Sequence, residues 1–190
     1  MTARQKISFL FALLLAAVVA AAQPTAIDTS RSSVTVRVYK SGLFSALAHN
    51  HIITAAIASA TLDAAQRTVS VTFNIADMKV VDPDGSESEH QEIEATMKGP
   101  KVLDAAQFPT ISFRSTRVDE ISPQRYKVTG DLKLHGQSRE IAFPVVLSEA
   151  IYKGSLTLKQ TDFGITPVKI AGGTVRVKDE IEISFEIAAR

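Results

Sequence analysis

The chain has 190 residues, no Cys and no Trp, and 45% of it is apolar. Its 21 Lys and Arg against 20 Asp and Glu leave a formal charge of +1, unlike a nucleic-acid binder, which gathers excess cations on one face. Without Cys there are no disulfides, thiolate metal sites, iron–sulfur clusters or Cys nucleophiles, and the length suits one domain with a short appendage.

Residues 1–22 read as a secretory signal peptide. Arg4 and Lys6 open it, Ile7 to Ala22 is apolar apart from Ser8, and Ala20 and Ala22 occupy the small-residue positions of a cleavage site. The apolar run is shorter than the roughly 20 residues a spanning helix needs. From there on, period-2 alternation dominates and predicts strands. Val34, Val36 and Val38 alternate with Thr35 and Arg37; a strand is expected near Ile52–Leu62; Val69, Val71, Phe73 and Ile75 alternate with Ser70, Thr72 and Asn74. Ser86 with Glu89 then forms a capping box. Ile93 and Met97 stand at i and i+4, and Gly99-Pro100 stops the helix, which predicts one helix over about Glu87 to Lys98. A short turn is expected around Val102–Ala105. Strands resume at Ile111 and Phe113, at Val128, Leu132 and Leu134, at Ile141 to Leu147, and at Leu156 and Leu158; the last runs from Val175 to Ile187.

The connections Asp63–Arg67, Ser122–Gln124, His135–Ser138 and Ala171–Gly173 are short and rich in turn residues, so neighbouring strands are antiparallel. About eight such strands with one apolar face close into a barrel or stack as a sandwich. A barrel of this size is filled by side chains or holds one small ligand, and the inward Val, Ile, Leu and Phe would accept an apolar molecule.

The sharpest polar constellation is His49 and His51, which point to one face if they lie on a strand. They form a candidate metal pair needing further ligands from His135, His90, Asp162 or Glu89, or a polar rim that meets a head group. Asp82, Asp84, Ser86 and Ser88 do not make an EF-hand, because the sixth and twelfth positions hold Glu87 and Ile93; they form a turn feeding a helix N-terminus. There is no G-x-S-x-G elbow, and Gly172-Gly173 reads as a turn rather than a phosphate loop. His135 reads as an exposed hairpin residue. Asp162 either binds a polar head or caps a turn, and Phe44, Phe73, Phe108, Phe113, Phe143, Phe163 and Phe185 are mostly core or cavity wall.

Several segments are familiar in combination. KGPKVLDAAQFPTISFRST (Lys98–Thr116), YKVTGDLKLHGQSREIAFPVVL (Tyr126–Leu147), LKQTDFGI (Leu158–Ile165), VKDEIEISFEI (Val177–Ile187) and the opening IDTSRSSVTVRV (Ile27–Val38) occur in this order. Together the chain resembles the YceI-like family over nearly all of residues 23–190. The resemblance implies an all-β, antiparallel, lipocalin-like barrel with one or two short helices. It also implies an exported, non-enzymatic protein that holds a polyisoprenoid or another long-chain amphiphile, such as an isoprenoid quinone or a fatty chain, for transport or storage in the periplasm. The segment SGLFSALAHNHII departs from the family, which has a Gly- and aromatic-rich stretch with basic residues there.

The expected organisation is a signal peptide over 1–22 and a lipid-binding barrel over 23–190. The expected ligand-contacting residues are His49, His51, Phe44, Phe73, Phe113, Phe143, Asp162 and Phe163. No cofactor is expected beyond a bound isoprenoid or fatty chain, and no nucleic acid. A membrane redox protein and a second copy of the chain remain open as partners. The alternative is a metal-binding protein or metal-dependent enzyme built on His49 and His51.

Overall fold

Alternating side chains give each strand one apolar face, and the chain buries these faces by curling a single antiparallel sheet on itself. The computed structural model describes residues 27–41, 50–170 and 174–189. In chain order the elements are β1 (Ile27–Ser41), β2 (His51–Thr54), β3 (Ile57–Asp63), β4 (Thr68–Asn74) and β5 (Lys79–Val80), then helix α1 (Glu87–Lys98). β6 (Thr110–Ser122), β7 (Arg125–Leu134), β8 (Gln137–Ser148), β9 (Ile151–Lys159), β10 (Lys169–Ile170) and β11 (Val175–Ala189) follow. Single 3-10 turns lie at Ile75–Asp77 and Gln160–Phe163.

The strands hydrogen-bond in the order β3-β4-β6-β7-β8-β9-β11-β1-β2-β5, with β10 also on β11. The curl brings β1 back beside the β2–β3 stretch, where Ala55, between the two strands, donates its N–H to the Val34 carbonyl at 3.0 Å and extends the β1–β2 ladder. One continuous sheet replaces the sandwich alternative. The described residues contain eleven strands rather than about eight. Ala55 and Ala56 break the stretch Ile52–Leu62 into two, and β5 and β10 have two residues each, too few to show a period.

The turns set the register. His135 and Gly136 both have positive φ (50° and 72°), as do Glu149 and Ala150 (51° and 63°), the backbone sign that suits a two-residue hairpin to the strand twist. The helix begins as its cap predicts: the Ser86 Oγ accepts the Glu89 N–H at 3.3 Å, and a Glu89 carboxylate oxygen accepts the Ser86 N–H at 2.8 Å. The Val102–Ala105 turn continues the chain with Leu103, 8% exposed, whose N–H donates to the Met97 carbonyl at 3.0 Å.

The two ends of the barrel differ. Phe163 and Ile75, at 1% and 0% exposure, sit at the end reached by α1 and the 3-10 turns. The end formed by the β3–β4, β6–β7 and β8–β9 hairpins carries no such covering element among the described residues.

Candidate functional site

Inside the barrel lies a cavity of about 450 Å³, within the usual range for small-molecule sites. Its wall is built from the inward phase of the strands, with Val36, Val71, Leu132, Ile141, Leu156 and Ile183 as representative members.

Three phenylalanines share this wall. Phe113 and Phe143 have ring centroids 5.3 Å apart, and Phe143 and Phe185 have centroids 5.6 Å apart at an interplanar angle of 78°, an edge-to-face contact. The rings lie close to the sheet because glycines stand beneath them. A Cβ at Gly130 would come within 2.6 Å of the Phe113 ring, and one at Gly154 within 2.4 Å of the Phe185 ring. Both glycines occupy inward positions of β7 and β9.

Met78, Met97, Leu103, Phe163 and Ile165 close one end. The 3-10 turn that carries Phe163 is held from three sides. The Asp179 carboxylate accepts the Thr161 N–H at 2.9 Å and its hydroxyl at 2.6 Å. The Gln160 amide donates to the Lys178 carbonyl at 2.8 Å. The Phe163 carbonyl lies 3.1 Å from the His135 Nδ1, and Arg139 Nε donates to the Asp162 carbonyl at 3.0 Å. The Thr161 hydroxyl is the main reason the Asp179 carboxyl is held below its ordinary pKa.

α1 is fastened to the same end by Glu94, whose carboxylate accepts the Val80 N–H at 3.0 Å and pairs with Lys98 at 2.9 Å and Lys79 at 3.3 Å. Burial alone would raise the Glu94 pKa, but these donors outweigh it and bring it to about 2.

At the other end the lining turns polar. Asp63, Arg67, Thr68, Glu120, Tyr126 and Tyr152 all border the cavity there. Arg67, with φ of 53° on the β3–β4 turn, reaches Glu120 on β6 at 3.7 Å, and both side chains are exposed. Burial, and secondarily Tyr126, raise the pKa of the Tyr152 phenol.

The structure distributes the expected residues unevenly. Phe73, Phe113, Phe143 and Phe163 line the cavity. His51 does not line it: its Nδ1 is 2.6 Å from the Asp82 carboxylate, whose other oxygen accepts the Ile52 N–H at 2.6 Å. Asp82, 7% exposed, thus ties β2 to the turn before α1, and the His90 Nε2 lies 3.1 Å from the Asp82 carbonyl. His51 is therefore placed as part of a fastening rather than as a rim residue. Asp162 has an exposed side chain outside the cavity and contributes its main-chain carbonyl to Arg139. Phe44, His49, the signal peptide and the Ala171–Gly173 turn lie outside the described residues. Among the described residues, no three His, Cys, Asp or Glu side chains gather as a metal site.

His135 is not a free turn residue, since it meets Phe163 and packs edge-on against Phe108 with centroids 5.1 Å apart. Sequence reading missed Tyr126 and Tyr152, although each is in phase with inward apolar residues of its own strand. Val128 and Leu132 share the phase of Tyr126, and Leu156 and Leu158 share that of Tyr152. Alternation carried back to the strand starts would have found both.

A model of the YceI-like domain matches residues 26–189. A UPF0312 protein of Pseudomonas savastanoi is 33% identical over 107 residues, covering 51% of this chain and 54% of the relative. The chain thus spans about half the length of the curated relatives it matches. Among solved structures, Burkholderia cenocepacia BcnA is similar with a TM-score of 0.59 and 20% identity, covering 85% of this chain and 98% of that one. A polyisoprenoid binding domain from Saccharophagus degradans, implicated in plant cell wall breakdown, gives a TM-score of 0.57 at 12% identity, covering 86% and 97%. At these identities the structural likeness concerns the fold.

Proposed function

The chain belongs to the YceI-like domain family, and from that premise we propose that it is an exported, non-enzymatic carrier holding a polyisoprenoid or other long-chain amphiphile in the barrel, for transport or storage in the periplasm. The observation that carries this reading is the apolar cavity of about 450 Å³ enclosed by the sheet. Moving a hydrocarbon chain from water into such a lumen is favourable by about 0.8 kcal/mol per CH₂, so binding needs few polar contacts. The Saccharophagus degradans domain of the same fold, named for polyisoprenoid binding, supports the ligand class. The basic-then-apolar residues 1–22, ending in Ala20 and Ala22, support export.

Native mass spectrometry of the protein purified from its own cell envelope, followed by solvent extraction, tests both parts. A bound species of several hundred daltons that extracts as a prenyl or acyl chain is expected. Val128→Trp and Leu156→Trp, each filling the lumen from the wall, should fold and emerge without lipid. Wild-type loading in both folded variants would refute the carrier reading, and recovery of the chain outside the envelope fraction would refute export.

A further inference from the structure

A hydrocarbon chain leaving an apolar lumen loses burial with every CH₂ it exposes to water, so a carrier of such a chain exchanges it fastest where the lumen meets a bilayer directly. The hairpin end of the barrel is built for that meeting. Ile121, at 67%, is the most exposed large apolar side chain among the described residues. It stands where the β6–β7 ladder slips: Glu120 pairs with Tyr126 and Ser122 with Arg125, so Ile121 is the extra residue of a bulge, a device that re-aims a side chain at the end of a sheet. Val118 and Glu120 of the same strand border the cavity, and the exposure of Ile121 places it on the outer side of that lip. An isoleucine there adds nothing to the core, and a polar residue would close the turn as well.

The rest of the rim is short and mostly uncharged at its tips. The β3–β4 turn presents Ala64 and Ala65, the β6–β7 turn Ser122, Pro123 and Gln124, and the β8–β9 turn Ala150, all exposed. Val146, also exposed, is opposite Arg125 on the neighbouring strand. Behind the tips stand charges of both signs, among them Arg31, Arg67 and Arg125 against Asp63, Glu120 and Glu149. So even a balance gives little net attraction to a charged surface, and an apolar contact must supply the attachment.

The path of the chain gives the same orientation. Ile27 lines the cavity and pairs with Ala189, whose N–H donates to the Ala150 carbonyl at 3.1 Å. Only Gln23 to Ala26 separate Ile27 from the apolar run that ends at Ala22. Five extended steps span at most about 18 Å. A leader held in a membrane during export therefore keeps this rim, and not the end capped by α1, next to the lipid.

Resting on the carrier reading, we propose that the hairpin rim is a docking face for a lipid bilayer, with Ile121 inserted among the acyl chains and the mouth of the lumen against the surface, so that the amphiphile passes between membrane and barrel without crossing water. One inserted side chain makes a weak, reversible attachment, which suits a carrier that must leave with its load.

The chain has no Cys, so a single reporter can be placed at either end. Ser122→Cys at the rim and Asp84→Cys on the exposed turn before α1 are each labelled with nitrobenzoxadiazole. Each is mixed with vesicles of phosphatidylethanolamine containing a minority of phosphatidylglycerol. Emission at 122 should rise severalfold and shift to the blue, while emission at 84 stays unchanged. Ile121→Glu should bind the vesicles at least about tenfold more weakly and exchange cis-parinaric acid with them more slowly, yet take up the same fatty acid from vesicle-free buffer as wild type does. Wild-type vesicle binding in I121E, or equal signals at 84 and 122, overturns the docking face, while uptake from buffer keeps the carrier reading. Failure of both cis-parinaric acid and farnesol to enter the wild-type chain overturns the carrier reading, and the docking face is then decided by the vesicle signal alone. Should I121E melt early, Ile121→Ser provides the same comparison without a buried charge.

Discussion

The two ends of this barrel are built on different physics. The closed end is dense: Phe163, Ile75, Val80 and Met78 are each no more than 5% exposed, and the groups around them are fastened by charge-assisted hydrogen bonds from Glu94, Asp179 and Asp82. The hairpin end has half-buried tyrosines and ion pairs that are all exposed: Arg67 with Glu120 at 3.7 Å, Arg117 with Asp119 at 2.7 Å and Lys153 with Glu186 at 2.8 Å. Dispersion and hydrogen bonds concentrated at one end let the other end stay unfilled. The difference teaches that a small barrel can keep a lumen by placing its stability away from the opening.

The strongest challenge to this division is Phe163→Ala. Removing a fully buried ring should destabilise the fold by about 3–5 kcal/mol, read as a shift in the urea midpoint. A shift no larger than that of a surface substitution would mean that the closed end is not where stability resides.

Glu94→Gln should have an intermediate effect, about 1–2 kcal/mol at neutral pH, from the loss of charge-assisted bonds that hold α1 to β5. Its pH dependence has a definite sign. The folded carboxyl titrates near 2, below the ordinary value of about 4.3, so its contribution is complete above about pH 4.5 and disappears as pH falls towards 2. Urea unfolding of the two proteins should therefore diverge at pH 7 and converge near pH 2. Curves that stayed equally separated at both pH values would locate the effect elsewhere.

Arg67→Gln, at the hairpin end, is the smallest expected change. Both partners are exposed and 3.7 Å apart, and such pairs contribute about 0–1 kcal/mol. A thermal midpoint within a degree or two of wild type is expected. A loss as large as that of Glu94→Gln would erase the contrast between the ends.

Much of this was readable from the chain because its causes are local. The capping box at Ser86 and Glu89 and the stop at Gly99-Pro100 lie within the helix or beside it, and α1 spans the expected Glu87–Lys98. The long strands announce themselves by alternation. The candidate site was readable in part, since Phe73, Phe113 and Phe143 follow the inward phase, whereas Phe163 reaches the cavity from a 3-10 turn. What was not readable depends on partners far apart in sequence. His51 is claimed by Asp82, 31 residues away, and His135 meets Phe163 across 28 residues. Neither pairing leaves a periodic trace. The polar end was missed for another reason: Tyr126 and Tyr152 sit at strand starts, where a pattern has only begun.

Gly130 and Gly154 have a consequence for how this fold diversifies. Because a Cβ at either position would collide with the adjacent strand, at the Arg114 or Pro144 carbonyl, and with the Phe113 or Phe185 ring, these two positions act as spacers that fix both the strand spacing and the bore. A methyl group at either position would press on the neighbouring strand's backbone as well as on the ring, so the bore would change from within the wall and not at the entrance. Bore and entrance chemistry are thus adjustable separately, one by residues with no side chain at all.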